Sequence, residues 1–391
     1  MSRSPGFDWV DASLEDIRGA GLERHLLELD GPPGPTAHLG GRRHILLGSN
    51  NYLDLAGHPT VVEGAVAAAR RHGAGAGASR LVSGASALQR TLEERLAAFL
   101  GVEAALLFSS GYLANTGTIP ALVGAGDEVF SDSLNHASII DGCRLSGATV
   151  TVYPHRDAGF LAEALAASRA RRRLIVSDAV FSMEGDACPV EELQGLAATH
   201  GAMLLLDESH SFGVVGAGGR GLVAAVAGGG GGALVMATLS KALGAAGGFV
   251  AGPAPVIEYL RQRARTFIFD TAPAPAAVGA ALAALGVLEA EPARAERVRA
   301  LAGRLAEGLR AAGLGVPVPA AAIVPLVVGE AEAAIALAAA ARERGVIVFP
   351  IRPPSVPPGT SRLRLTVTAG FSEAMVDTAI DALAAAAAAV G

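Results

Sequence analysis

The sequence predicts an α/β fold: a large domain built on a mostly parallel sheet, followed by a smaller C-terminal α+β domain. Two observations carry this. Short apolar runs alternate with helix-like stretches over most of the chain, which argues for parallel strands covered on both faces. Past about residue 275 that rhythm gives way to an alanine-rich stretch and then to runs with antiparallel character. At 391 residues the chain can bury more than one core.

Residues 8–28 carry apolar positions near helical spacing and predict an amphipathic N-terminal helix. The turn-rich "DGPPGPTAHLGG" follows. The expected division is an N-terminal helical segment over 1–48, a large domain over 49–285 and a small one over 286–391. The apolar runs of the large domain are 104–110, 127–133, 148–155, 173–180, 202–210 and 233–241. "ALQRTLEERLAAFLG" and "PVEELQGLAATHGA" are among the helical stretches between them. In the C-terminal part, "IVPLVVGE", "GVIVFPI" and "SRLRLTVTAG" read as strands. The last alternates apolar and charged residues, as a half-exposed antiparallel strand would. The alanine tail, 382–389, reads as helix.

Composition excludes several classes. Net charge is −6, and the one basic block, "RARRR" at 169–173, reads as a solvated helix end rather than a nucleic-acid patch. Cys143 and Cys188 lie far apart, with neither disulfide nor zinc spacing, and read as packed residues. No metal site is expected. No basic stretch followed by an apolar one marks a secretory leader. Residues 221–240 are uncharged and long enough to span a bilayer, but five glycines at 228–232 interrupt them and predict a loop followed by a strand. The expectation is a soluble cytoplasmic protein that binds neither nucleic acid nor membrane.

The chain has 31 basic residues, and Lys241 is its only lysine. Arginine can replace lysine in most surface roles but cannot lose its proton near neutral pH and attack a carbonyl. Lys241 also follows an apolar run and precedes small residues, unlike a solvated lysine. It is therefore the candidate nucleophile. In parallel sheets ligands bind at the carboxyl ends of strands, and the runs here end in useful groups: Asp207 with His210, Asp178 with Ser182, His136, the turn Ser110-Gly111-Tyr112, and Thr238, Ser240 and Lys241. Singly, each has a bland structural reading. Together they place an acid, two histidines, hydroxyls and a unique amine along one sheet edge.

That set suits a Schiff base between lysine and pyridoxal 5′-phosphate (PLP). Asp207 would keep the ring nitrogen protonated, the serine-glycine turn at a helix N-terminus would cradle the phosphate, and His136 would lie over the ring. No GxxxxGK[ST] is present, and "GAGAGA" at 73–78 does not follow an apolar strand, so the nucleotide readings are weaker.

"SGYLAN", "NHAS", "VFSMEGD", "LDESHSFGVVGAGGRG" and "TLSKALG" resemble the α-oxoamine synthases, PLP enzymes of fold type I (aspartate aminotransferase-like), in motif order and spacing from about Asn50 to Thr368. "FIFDTAPAP" and "IRPPSVPPGTSRLRLTVTA" resemble the branch that condenses L-alanine with a pimeloyl thioester, on coenzyme A or an acyl carrier protein, in biotin biosynthesis. The resemblance implies that Lys241 carries the cofactor, Asp207 pairs with its ring nitrogen and His136 stacks on it. Ser182 and His210 would hydrogen-bond it, and Gly111, Tyr112 and Thr238 would hold phosphate or ring. Thr271 would reach the phosphate in the partner subunit of a homodimer with shared sites. Asn50 and Arg352 would grip the substrate carboxylate, Ser355 would line the acyl side, and Arg24 would meet the far carboxylate. Glycine C-acetyltransferase, 5-aminolevulinate synthase, serine palmitoyltransferase and the aminotransferases remain alternatives, as does a ligand-binding regulatory domain. Two departures stand out: Ser211 and Asp54 occupy positions where the family commonly has glycine.

Overall fold

The computed structural model describes residues 5–225 and 232–390. Its centre is a seven-stranded sheet. Across the sheet the strands run Ala104–Phe108, Gly248–Gly252, Leu234–Thr238, Met203–Asp207, Arg173–Asp178, Glu128–Asp132 and Thr149–Tyr153. Gly248–Gly252 is antiparallel to both its neighbours, and the other adjacent pairs are parallel. The six expected runs each hold one of these strands. The seventh, "GFVAG", was not anticipated: it is short and begins and ends in glycine, so it carries little strand signal.

Both faces are covered, which is why the strands read as continuous apolar runs. Leu106, Val250, Met236 and Leu205 point to one apolar layer. Leu107, Phe249 and Ala237 point to the other, where the helices Ala87–Leu100 and Pro275–Ala290 supply Leu92, Leu96, Ala281 and Leu285. The Ala87–Leu100 helix begins at a capping box between Ser86 and Gln89 and ends at Gly101 in the left-handed conformation.

Beyond the sheet, the alanine-rich stretch is two helices, Pro275–Ala290 and Ala293–Ala311, bent by 81° at the break. The C-terminal strands Ile323–Gly329, Ser361–Thr366 and Pro350–Ile351 form an antiparallel sheet. The alanine tail lies in the helix Glu373–Val390 and buries Ala382, Leu383 and Ala386.

Three expectations are corrected. The N-terminal helix covers only Trp9–Gly19 and buries none of its residues. The following segment holds strands Thr36–Leu39 and Arg42–Leu46, the second of which pairs in parallel with Val346–Ile347 of the C-terminal part. Local turn residues masked both strands: the first pairs with the second across a tight turn, and the second's other partner lies some 300 positions away, where no local pattern signals it. The Ser361–Thr366 strand is not half-exposed: every residue in it is buried, including Arg362 and Arg364. The basic block at 169–173 lies in the turn after the helix Ala158–Ala167, where Arg171 and Arg172 pair with Asp127. Most of the five-glycine run lies outside the described residues. Among the described ones, no single helix is long and apolar enough to cross a membrane.

Candidate active site

The carboxyl ends of the central strands open into a cavity of about 300 Å³. Lining it are Gly111, Tyr112, His136, Asp207, Thr238, His210 and Lys241, each singled out from the sequence, together with Asp178 and Ser240. The sheet brings them together because Asp207 ends its strand beside Asp178 in register, and Thr238 ends the next.

Ser110 caps the helix Gly111–Leu122 by accepting from the Leu113 N–H at 3.1 Å. The N–H groups of Gly111 and Tyr112 then face outward from the first turn with no acceptor within the helix. Backbone must approach closely here: a Cβ on Gly248 would stand 2.5 Å from the Gly111 nitrogen. These N–H groups and the helix dipole suit a phosphate. The Thr238 hydroxyl lies 2.8 Å from Ser240 Oγ and donates to the Gly247 carbonyl, which fixes the turn that presents Lys241. Tyr112 is exposed, and its hydroxyl donates to Asp141.

Asp207 is held by two donors that the sequence reading did not single out. Asn115 Nδ2 donates to Oδ2, and the Ser209 N–H donates to Oδ1, each at 2.9 Å. Asn115 sits four residues after Gly111 on the same helix, so its helical spacing was the available signal. His136 accepts from the Ser138 N–H through Nδ1, and its backbone N–H donates to Asp178 Oδ2 at 2.8 Å. Burial pulls the His136 ring below the usual imidazole range. Burial and the Asp207 charge push the Asp178 carboxyl well above the ordinary carboxylate range.

Lys241 Nζ lies 2.8 Å from His210 Nε2. Burial is the largest influence on the amine, and the Arg364 charge adds to it; Asp207 and Asp178 oppose them, and the amine is held down at about 8. His210 is kept well below its usual range by burial, then by Lys241 and Arg364. The amine therefore gives up its proton far more readily than an ordinary lysine, as a nucleophile or base requires.

The remaining candidates fall around this cavity. Asn50 Oδ1 accepts from Arg364 at 2.9 Å and lies 3.2 Å from the Tyr52 hydroxyl. Ser182 does not line the cavity; its carbonyl accepts from Arg364 Nε at 2.5 Å. Thr271 is exposed, and its carbonyl accepts from Ser109 at 3.0 Å. Arg352 donates to the carbonyls of Gly21, at 2.6 Å, and Glu23, at 3.1 Å, so its guanidinium ties down the N-terminal segment. Arg24 and Ser355 are exposed. Arg364 was missed because its alternation with leucine read as an outward charge. Cys143 and Cys188 are buried, with thiols pushed up by burial, and stay outside the chemistry.

Residues 42–383 match the family of class I and II aminotransferases. A curated 8-amino-7-oxononanoate synthase from Anaeromyxobacter dehalogenans (strain 2CP-1 / ATCC BAA-258) is 51% identical over 97% of this chain and 95% of its own. The chain belongs to the α-oxoamine synthases, within the class I and II aminotransferases. Another curated 8-amino-7-oxononanoate synthase, from Geobacter sulfurreducens, is 47% identical over 96% of this chain and 97% of its own. Among solved structures, a serine palmitoyltransferase from S. paucimobilis with a bound PLP–myriocin aldimine superposes with a TM-score of 0.92 at 32% identity, covering all of both chains. An 8-amino-7-oxononanoate synthase from Francisella tularensis gives 0.74 at 26% identity, covering 88% of this chain and 97% of its own. This α-oxoamine synthase shares the fold type I architecture, and its left-handed Asp54, with φ of 56°, explains why glycine is common there in the family. Ser211, the other departure, donates its hydroxyl to Glu208.

Proposed function

We propose that the chain condenses L-alanine with a pimeloyl thioester, releasing the thiol and CO₂ and forming 8-amino-7-oxononanoate for biotin synthesis, with PLP as cofactor. The observation that carries this reading is the chain's one lysine amine, its pKa held down at about 8 in the same cavity as a buried carboxylate. Likeness over nearly the full chain to relatives named for that synthase supports these substrates.

Bound PLP supplies an electron sink for the negative charge left at the amino acid's Cα. Lys241 would hold the cofactor, and Asp207, fixed by Asn115 and Ser209, would pair with its ring nitrogen. The first turn of the Gly111–Leu122 helix would hold the phosphate, assisted by Thr238. His136 would cover the ring, and His210 and Ser182 would meet its polar edge. Lys241 Nζ takes the Cα proton of L-alanine, which its lowered proton affinity permits. Asn50 and Arg352 would take the amino acid's carboxylate, and for Arg352 this requires release of the Gly21 and Glu23 carbonyls. Ser355 and Arg24 would face the acyl chain and its far carboxylate.

A homodimer completes the reading. The loop that presents Thr271 is tied to the 78–84 loop by the Ala272 N–H donating to Ala78, and together they expose Leu81, Val82 and Phe269. A second copy would cover that apolar surface and receive Thr271 at its own phosphate site.

The test is product identification with L-alanine, glycine or L-serine against pimeloyl, acetyl and palmitoyl thioesters, with coenzyme A and acyl-carrier-protein donors compared. 8-Amino-7-oxononanoate from alanine and pimeloyl thioester alone is the expected result. Preference for another pair moves the chain to another branch of the family.

A further inference from the structure

Tyr52 is absent from every role assigned above, yet it is the side chain that connects the nucleophile to the C-terminal sheet. Its ring is completely buried. Its hydroxyl lies 2.6 Å from His210 Nδ1, and the other nitrogen of that ring lies 2.8 Å from Lys241 Nζ. On the far side, Arg364 Nη2 donates to the Tyr52 oxygen at 3.3 Å while Arg364 Nη1 donates to Asn50 Oδ1 at 2.9 Å.

The hydrogens in this row can be counted. A phenol has one hydrogen to give. Two acceptors stand within reach, Asn50 Oδ1 at 3.2 Å and His210 Nδ1 at 2.6 Å. Asn50 already accepts the shorter bond from Arg364, and the Tyr52 oxygen itself accepts from Arg364. Each oxygen has a second lone pair, so the distances argue the case: the 2.6 Å contact favours the phenol hydrogen on the short side, at Nδ1. A neutral imidazole that accepts at Nδ1 carries its hydrogen at Nε2. That hydrogen points at Lys241 Nζ, where it favours an amine with a free lone pair over an ammonium with none.

We propose that Tyr52 is a positioning residue for Lys241: its hydroxyl, oriented by Arg364, locks His210 with hydrogen on Nε2 and so presents a donor to the lysine amine. The idea deepens the proposed function and needs no substrate. Around the amine stand Asp207 and Asp178 from the neighbouring strands, His136 across the cavity, His210 from the loop after one of the strands, and Arg364 from the C-terminal sheet. Only the His210 contact depends on which ring nitrogen bears the hydrogen. Without the phenol, His210 can turn its lone pair toward Lys241 and accept from the ammonium.

The chain's single lysine makes the test direct. The cofactor-free full chain, labelled with ¹⁵N in lysine and histidine, gives one side-chain lysine signal to titrate. Signals of the nine histidines are resolved by difference against His210→Gln. The expected wild-type result is a neutral His210 protonated at Nε2. In Tyr52→Phe, which keeps the ring and loses only the hydroxyl, the Lys241 midpoint should rise by about one unit, a roughly tenfold loss of free amine at neutral pH. Hydrogen on Nδ1 in the wild type overturns the proposal, and so does an unchanged lysine midpoint in Tyr52→Phe. Should that variant fail to fold, the wild-type ring signal decides alone. Because no cofactor or substrate is present, either result leaves the condensation assay to judge the reaction separately.

Discussion

His210 and His155 each have polar partners at both ring nitrogens, and they end in opposite charge states. His210 meets the Tyr52 hydroxyl and the Lys241 amine, with the Arg364 guanidinium near, and stays neutral. His155 lies 3.0 Å from Asp132 through Nδ1 and 3.0 Å from Asp186 through Nε2. Burial alone would lower His155, but the bonds to Asp132 and Asp186 outweigh it and raise the ring to about 9. The difference teaches that burial sets a common tendency and the sign of the neighbours decides the outcome. It also separates two jobs. A neutral ring beside a lysine supports chemistry, whereas a charged ring between carboxylates ties the loop bearing Asp186 to the end of the Glu128–Asp132 strand.

The largest test acts on the first histidine's partner. Lys241→Arg places a permanent cation against His210 and removes the only amine, so kcat should fall about 10³-fold or more while the melting temperature changes little. Retained turnover in steady-state assays would end the comparison on the catalytic side. Next, Asp207→Asn removes the carboxylate that would keep the cofactor's ring nitrogen protonated. We expect about a 10²-fold loss of kcat, measured beside circular dichroism to show that the fold persists.

The second histidine should behave in the reverse manner. His155→Gln leaves Asp132 without its cation and Asp186 with Arg156 alone, and should cost about 1–2 kcal/mol at pH 7 after allowance for solvent screening. Urea unfolding reads this, and an unchanged midpoint would show that the pairing contributes nothing. The smallest effect is the pH dependence. Since the folded His155 binds its proton more tightly than the unfolded chain, its contribution is complete below about pH 6.5 and drains away as pH climbs through about 9. Wild-type stability should therefore drop by about 1–2 kcal/mol across that window through this group, and His155→Gln should lack that portion of the drop.

Much of this was legible beforehand, and the misses share a cause. The Met203–Asp207 and Leu234–Thr238 strands announced themselves because both faces of a parallel sheet are buried, so the code is a bare apolar run ending at the ligand edge. Lys241 was legible by composition alone, as the one residue whose chemistry arginine cannot copy. Arg364 and Tyr52 were not. The alternation around Arg364 predicted a half-exposed strand, which is sound for an isolated one, and no local pattern marked Tyr52 out. Asn50, Tyr52 and Arg364 lie more than 300 positions apart in the chain at their extremes, with hydrogen bonds joining residues 314 and 312 positions apart. No local pattern encodes such a pairing.

By itself, then, the amino-acid order pointed to which residue could attack, which carboxylate could balance charge and which turn could receive an anion, since those depend on residue type and on where strands end. Tertiary structure alone decided what Lys241 feels. The proton affinity of a buried amine is set by the charges and hydrogens that surround it in space, and those arrive from strands, loops and a C-terminal sheet that meet only when the chain has closed.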